Sequence, residues 1–302
     1  MPTLLTIIGP TAVGKTELAI QLAQHFDSEI ISADSRQFYR EMSIGTAKPT
    51  KKELNAAVHH FIDSHSVAQD FSVGDFEKQG IELLIELFKR KNVAILVGGS
   101  GLYINAITQG FDALPKASQE VRDQLNRRFE TEGLEVLQHQ LSELDPDYFS
   151  SVDTQNPQRL IRALEVCLST GKTFSELRTK SIKQRPFDIV KIGLNMDRQK
   201  LYDRINQRVD LMMDAGLLEE VRTLLPYRDK NALRTVGYQE LYDYLDGKCS
   251  LEQAVEKIKQ NTRNFAKRQL TWFRRDTEIT WFEPQQTSLI IETIEQKMAD
   301  NN

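Results

Sequence analysis

Cysteine is scarce in this chain: Cys167 and Cys249 stand alone in 302 residues. They are too few and too isolated for a disulfide framework or a zinc site, and they fit a reducing, cytoplasmic compartment. No apolar run reaches the roughly 18 residues that a membrane-spanning helix needs. The N-terminus begins a strand almost at once, without a charged segment leading into an apolar one, so no signal peptide is expected. An excess of positive charge is missing too. Lys and Arg number 39 against 43 Asp and Glu, a net charge of −4. That disfavours a bulk-basic nucleic-acid binder, so any such contact must rest on local patches. Histidine offers no metal site by spacing. Neither His59 nor His60 has a histidine four residues on, and packing or a loop hydrogen bond is expected for both, as for His65. No internal repeat or low-complexity segment is present.

What is there describes an ordinary soluble protein, 40% hydrophobic and 27% charged. The length suits one large domain, or a core with a smaller domain attached. At the start lies Gly9-Pro10-Thr11-Ala12-Val13-Gly14-Lys15-Thr16. It follows the apolar run Leu4–Ile8 and opens the amphipathic stretch Glu17–His25. Strand, glycine-rich loop and helix in that order form a phosphate-binding P-loop. Its backbone N–H groups cradle phosphate oxygens, Lys15 neutralises their charge, and the Thr16 hydroxyl is placed for Mg²⁺. Such a nucleotide-binding motif points first to ATP.

Further elements follow. Glu29–Ser32 reads as a short strand, Glu77–Arg90 as a helix, and Val93–Val97 as a strand ending in Gly98-Gly99-Ser100-Gly101. Alternating strands and helices imply an α/β fold: a P-loop NTPase-like parallel sheet flanked by helices, with ligands at the carboxyl ends of the strands. The texture changes at Leu114-Pro115. From Ser118 to about Ser181 only helical spacing is seen, as in Leu134, Leu137, Leu141 and Leu144. We read residues 115–186 as an all-helical insertion, and 1–114 with 187–302 as the core. Ile189–Leu194 returns the chain to the sheet. Helices are then expected at Arg198–Ala215, Leu217–Leu225, Tyr238–Leu245 and Leu251–Phe273, with a last strand at Ile279–Phe282.

Chemistry gathers at a few positions. Asp34 lies just past the second strand, on the edge of the sheet that carries the P-loop. It is placed to bind metal or to take a proton from an acceptor, unless it merely caps a turn. Many P-loop NTPases end a central strand in an Asp that organises Mg²⁺ and water. Here the strand ends in glycines and the Ser100 hydroxyl, which favours group transfer over water activation. Lys257–Arg275 carries seven basic residues and no acidic one, interleaved with Phe265, Trp272 and Phe273. Arg159, Arg162, Arg178, Lys180, Lys183 and Arg185 form a second cluster. Both suit RNA phosphates and unpaired bases, and both also suit a solvated helix face. Arg204 and Arg208 share one helix face; they can clamp phosphate or pair with Asp203 or Asp210.

Taken together, several segments resemble the tRNA dimethylallyltransferase family, the bacterial isopentenyltransferases. They are Gly9–Thr16, Ser32–Tyr39 (S-A-D-S-R-Q-F-Y), Ile44–Pro49 (I-G-T-A-K-P), Val97–Tyr103 (V-G-G-S-G-L-Y), Asn156–Glu165, Leu233–Glu240 and Thr262–Arg274. They run in order through nearly the whole chain. The resemblance implies transfer of a dimethylallyl group from its diphosphate to the exocyclic amine of the adenosine 3′ to the anticodon, in tRNAs reading codons that begin with U. It implies Mg²⁺, a tRNA partner gripped at the anticodon stem-loop, and a monomer. The P-loop would then hold the prenyl diphosphate rather than ATP.

Carried over by position, Thr11–Thr16 meet the diphosphate and Thr16 the magnesium. Asp34 is the general base, and Asp34, Ser35, Arg36 and Gln37 meet the target nucleotide. Ser100 stands where the family has Thr, keeping the hydroxyl and losing the methyl. Arg208 matches an arginine on the leaving diphosphate. Arg122, Gln158, Arg159, Leu160, Ile161 and Arg162 match tRNA-contacting positions. So do Leu233–Tyr238, with Arg234 and Tyr238, and Lys267–Arg274, with Lys267, Arg268, Gln269, Trp272 and Arg274. Two alternatives remain: a P-loop kinase in which Asp34 activates a hydroxyl, and an RNA-binding module with a vestigial P-loop.

Overall fold

A strand without polar spacing has no face to give to water, and Thr3–Ile8 (β1) is buried at every residue. The computed structural model describes residues 1–112, 114–115, 118–179 and 181–300. Its chain divides into two compact units, one of residues 1–109 with 184–302 and the other of residues 110–183.

In the larger unit, β1 is followed by α1 (Lys15–His25), β2 (Ile30–Ser32), α2 (Lys51–Ala56), β3 (His59–His60), α3 (Val73–Leu87), β4 (Val93–Gly98) and α4 (Gly101–Thr108). Helices α5 (Gln119–Glu132), α6 (Leu134–Leu144), α7 (Pro146–Ser151), α8 (Pro157–Thr170) and α9 (Phe174–Leu177) make up the smaller unit. The larger unit then resumes with β5 (Asp188–Leu194), α10 (Arg198–Asp214), α11 (Leu217–Thr223), α12 (Tyr238–Leu245), α13 (Leu251–Phe273), β6 (Thr280–Phe282) and α14 (Thr287–Asp300).

Among the described residues, six strands form one parallel sheet in the order β3-β2-β4-β1-β5-β6. Side chains alternate across it. Leu4 and Ile8 of β1 join a core with Phe38, Phe76, Leu84 and Leu241 on one face; Leu5 and Ile7 join Leu18, Leu22, Ile290 and Ile294 on the other. Register decides what meets at the carboxyl edge. Ile8 pairs with Gly98 on one side and Gly193 on the other, and Ser32 pairs with Val97. The loops after β1, β2 and β4 therefore leave the sheet at one level.

The smaller unit packs Leu125, Leu137, Leu141, Leu160, Leu164 and Phe174 into its own core. Asn156 caps α8, with Pro157 in its first turn. Buried Asp145 accepts from Tyr148 N, Ser175 N and Ser175 Oγ, tying α7 to α9.

Several elements have no counterpart in the sequence reading. Lys51–Ala56 has no buried residue and forms through a Thr50–Glu53 capping box. His59 and His60 make a two-residue edge strand on β2, with His60 Nε2 2.6 Å from Glu29 Oε2. α14 buries only Ile290 and Ile294, too sparse a stripe among β-branched residues to announce a helix.

Ile7, at 0% exposure in the central strand, gives the direct test of this core. Ile7→Ala is expected to lower unfolding free energy by about 2–5 kcal/mol in urea denaturation. A loss under about 1 kcal/mol would show that the site collapses around the missing methyls.

Candidate active site

The P-loop begins where β1 can no longer carry a side chain. A Cβ on Gly9, whose φ is +147°, would lie 2.5 Å from the Leu194 carbonyl oxygen of neighbouring β5. Gly14, at φ 112°, occupies the left-handed N-cap of α1, and between them Ala12 holds a φ of 65°. A left-handed alanine is a strained residue kept by its surroundings. Lys15 Nζ turns back over the loop and donates to Gly9 O (3.1 Å) and Pro10 O (2.7 Å). Burial pushes its pKa from 10.5 down to about 7; the Asp34 carboxylate opposes that shift and the Arg208 guanidinium adds to it. All three groups thus act on one space.

Asp34 follows β2 directly. Its Oδ1 accepts from Arg36 N at 2.9 Å, an Asx turn that orients the carboxylate. The turn reading and the functional reading are therefore compatible. Gly98 lets β2 and β4 close at this point, since a Cβ there would be 2.7 Å from Ala33 O. Ser100 Oγ lies 3.4 Å from both the N and the Oγ of Ser35, loosely held beside Asp34. Gln37 is committed to structure: it accepts from Ser32 Oγ and donates to Thr46 O and Ala47 O, each at 3.2 Å.

Across from these lies α10. Arg208 is partly buried and has no hydrogen-bond or ion-pair partner among the described residues; burial and nearby Arg204 hold its pKa below the ordinary arginine value. The competing salt-bridge reading fails, because Asp203 accepts from Gln199 and Asp210 pairs with Lys259. A partly buried cation with no hydrogen-bonded carboxylate among the described residues, feeling only the Glu53 negative charge, fits a site that receives an anion.

Asp34, Ser100 and Arg208 border a cavity of about 640 Å³, within the roughly 300–1,000 Å³ common for ligand sites. Thr11, Asp34, Ser35, Arg36, Ser100 and Tyr103 line one part. Arg208, Val209, Met212, Leu217 and Val236 line another, and Arg234, Phe265, Arg268 and Trp272 complete it. Trp272 and Phe265 are 40% and 38% exposed, large apolar surfaces on a wet cavity wall. Arg268 lies over the Phe265 ring at 5.8 Å.

The structure corrects several assignments carried over by position. Gln269 is buried and bridges two loops: its Oε1 accepts from Thr11 N at 2.8 Å and its Nε2 donates to Gly99 O at 2.9 Å. It is not a free RNA contact, and the Thr11 N–H is not free for phosphate. Tyr238 is fully buried and donates to Glu220. Leu160 and Ile161 lie inside the smaller unit, at 0% and 1% exposure, so their side chains cannot reach RNA. Arg122, Gln158 and Arg159 are exposed on that unit, and Arg162 is partly so. Arg162 donates to buried Glu165 at 2.5 Å; Arg122 Nε lies 3.0 Å from the same carboxylate, off the hydrogen-bonding direction.

The basic clusters also thin out. Lys259 is paired with Asp210 and Glu256, Arg263 donates to Asn206, and Arg185 is spent on Ile107 O, Ala106 O and Glu77. Lys267, Arg268 and Arg274 remain exposed on or beside α13. Lys180 lies outside the described residues. Sequence reasoning missed the Gln269 bridge and Glu220. In Leu217-Leu218-Glu219-Glu220-Val221, nothing distinguishes Glu220 from its solvated neighbour.

A P-loop on the central strand of a parallel sheet, sharing a cavity with a carboxylate and an unpaired arginine, defines a P-loop-fold protein built to hold an anion beside a second ligand. The sequence model of the IPP transferase family matches residues 37–276, and the chain belongs to that family. It is 56% identical over 296 residues to the tRNA dimethylallyltransferase of Christiangramia forsetii, covering 98% of each chain. The full-length tRNA isopentenylpyrophosphate transferase of Bacillus halodurans superposes with a TM-score of 0.74 at 39% identity, over 99% of this chain and 98% of that one. A eukaryotic dimethylallyltransferase acting on tRNA gives 0.74 at 28% identity, over 90% of this chain and 70% of its own. These names lend no support to the kinase reading.

Lys15 yields a proton-linked prediction. Between about 7 and 10.5 the unfolded chain keeps a proton that folded Lys15 has lost. Stability in the absence of ligand therefore rises with pH across that window, and the burial penalty is complete below it. A bound polyphosphate restores the charged lysine. At about pH 8.5, inorganic diphosphate should take up more protons per molecule bound by wild type than by Lys15→Met, read by calorimetry in buffers of differing ionisation enthalpy. Equal uptake would remove Lys15 from the anion grip.

Proposed function

We propose that this chain moves a dimethylallyl group from dimethylallyl diphosphate to the exocyclic amine of the adenosine 3′ to the anticodon, in tRNAs reading codons that begin with U. Family membership supports the reaction class. The observation that carries the reading is the cavity lined by Asp34, Ser100, Arg208 and Thr11 of the P-loop.

In this reaction the C–O bond between the prenyl carbon and the diphosphate breaks, and a bond from that carbon to the adenine nitrogen forms. Negative charge builds on the leaving diphosphate, which Lys15, Arg208 and the P-loop amides other than that of Thr11 would stabilise. Burial lowers the Lys15 pKa to about 7, and above that pH the lysine takes up a proton as the anion binds. The adenine nitrogen loses a proton as it is alkylated, and Asp34 accepts it. The base reaches Asp34 only when flipped from its stack, and Trp272 and Phe265 offer faces against which an unstacked nucleotide rests. Closing the cavity over the allylic centre keeps water from hydrolysing the donor.

Mg²⁺ fits this site through the Thr16 hydroxyl and the donor's own phosphate oxygens. No cluster of three or more His, Cys, Asp or Glu able to hold a metal occurs among the described residues. When bound, the ion would neutralise charge on the leaving group. No described helix is long and apolar enough to cross a membrane. We place the enzyme in the cytoplasm, where its tRNA substrate resides, and expect it to act as a monomer.

The test incubates the protein with unmodified tRNA, Mg²⁺ and radiolabelled dimethylallyl diphosphate. Label should enter the tRNA, and Asp34→Ala should slow transfer by about 10²–10⁴-fold while tRNA affinity stays near wild type. Absence of label with tRNA bound would refute prenyl transfer. Phosphate transfer from ATP would restore the kinase reading.

A further inference from the structure

The cavity wall formed by Gly45, Thr46 and Ala47 comes from a loop with no regular structure of its own. A carboxylate on another element grips its near side. Glu220 Oε2 accepts from Ser43 N (2.9 Å) and Ile44 N (2.7 Å), and Oε1 accepts from Gly45 N (3.0 Å). Tyr238 OH completes the set, donating to Oε1 at 2.6 Å. Three successive backbone N–H groups and one hydroxyl thus converge on a single partly buried carboxylate. The hydroxyl end of the Tyr238 ring packs against Gly45, where a Cβ would lie 2.6–2.7 Å from Cε2, Cζ and the hydroxyl. Burial and the Glu220 carboxylate push the Tyr238 pKa upward, so the phenol stays a donor at every working pH.

The far side of the same loop holds the acceptor segment. Its Thr46 and Ala47 carbonyls accept from Gln37 Nε2, and Gln37 lies three residues from Asp34 and is tied to Ser32 at the end of β2. The loop therefore stands between Glu220 on α11 and the segment Asp34–Gln37. Nothing in this chain of bonds touches Lys15 or Thr16.

We propose that Glu220, with Tyr238, is a positioning residue for the acceptor nucleotide: it fixes the 43–47 loop, which sets the wall facing the base and the placement of Asp34–Gln37. The inference rests on the prenyl-transfer reading. It separates the two substrates, because the latch serves the acceptor side and leaves the diphosphate grip alone.

The discriminating variant is Glu220→Gln. It keeps shape, yet its single oxygen cannot accept from four donors, and its amide group must face at least one backbone N–H. Steady-state kinetics with tRNA and dimethylallyl diphosphate should show kcat/KM for tRNA down about tenfold, with KM for the donor within about twofold. Amide exchange at Ser43, Ile44 and Gly45 should quicken by a similar factor, about tenfold. Tyr238→Phe, which leaves the three N–H bonds in place, carries the test if Glu220→Gln does not fold; about a threefold loss for tRNA alone is expected. Equal losses for both substrates would mean a merely structural role and overturn the proposal, as would unchanged kinetics in an active background. A wild-type enzyme that transfers no label would instead defeat the underlying prenyl-transfer reading.

Discussion

Parallel pairing of β1 with β4 and β5 is the constraint on which the site depends. It ends the strands at one level, with Ile8 beside Gly98 and Gly193. Chains leaving the sheet there are too close for side chains: a Cβ on Gly9 would meet Leu194 O, and one on Gly98 would meet Ala33 O. Glycine is thus required by crowding before any ligand is considered. The same crowding lets one buried side chain, Gln269, reach both the P-loop and Gly99. A helix that presents Arg268 and Trp272 to the cavity is in this way bonded directly to the phosphate loop.

Charge placement gives the cavity its direction. Lys15 and Arg208 are both held in less charged surroundings than cations prefer, and both have pKa values pushed down by burial. Stability alone would select neutral residues or paired ones. On the acceptor side the carboxylates are handled differently: Asp34 is oriented by a backbone N–H, and Glu220 is saturated by four donors. One end of the site awaits negative charge, and the other is pre-organised by it. Such an asymmetry suits the proposed transfer away from a diphosphate.

Much of this was legible in the linear chain. The P-loop, the strands after it and the helical stretch from Ser118 to Ser181 carry strong local signals: glycine spacing, continuous apolar runs and helical periodicity. Asp34 and Arg208 could be singled out because each stands next to a recognisable element. Other residues sit in motifs whose side chains the fold turns inward. Leu160, Ile161, Tyr238 and Gln269 fall inside motifs that resemble RNA-contacting ones, yet each points into a core or a bridge. A motif marks a stretch of chain, while burial is decided residue by residue by whatever packs against it.

The sequence by itself determined the main strands and helices, the P-loop motif and the family, because these rest on strong local spacing. Tertiary structure alone decided which charges are free. Asp210 takes Lys259 out of the basic strip and Glu77 takes Arg185, while among the described residues no carboxylate forms an ion pair with Arg208. It also chose Glu220 over Glu219, two adjacent glutamates that nothing in the sequence separates. The partners that give such residues their roles lie far away in the chain, and only the folded sheet, with its helices laid over it, brings them within hydrogen-bond reach.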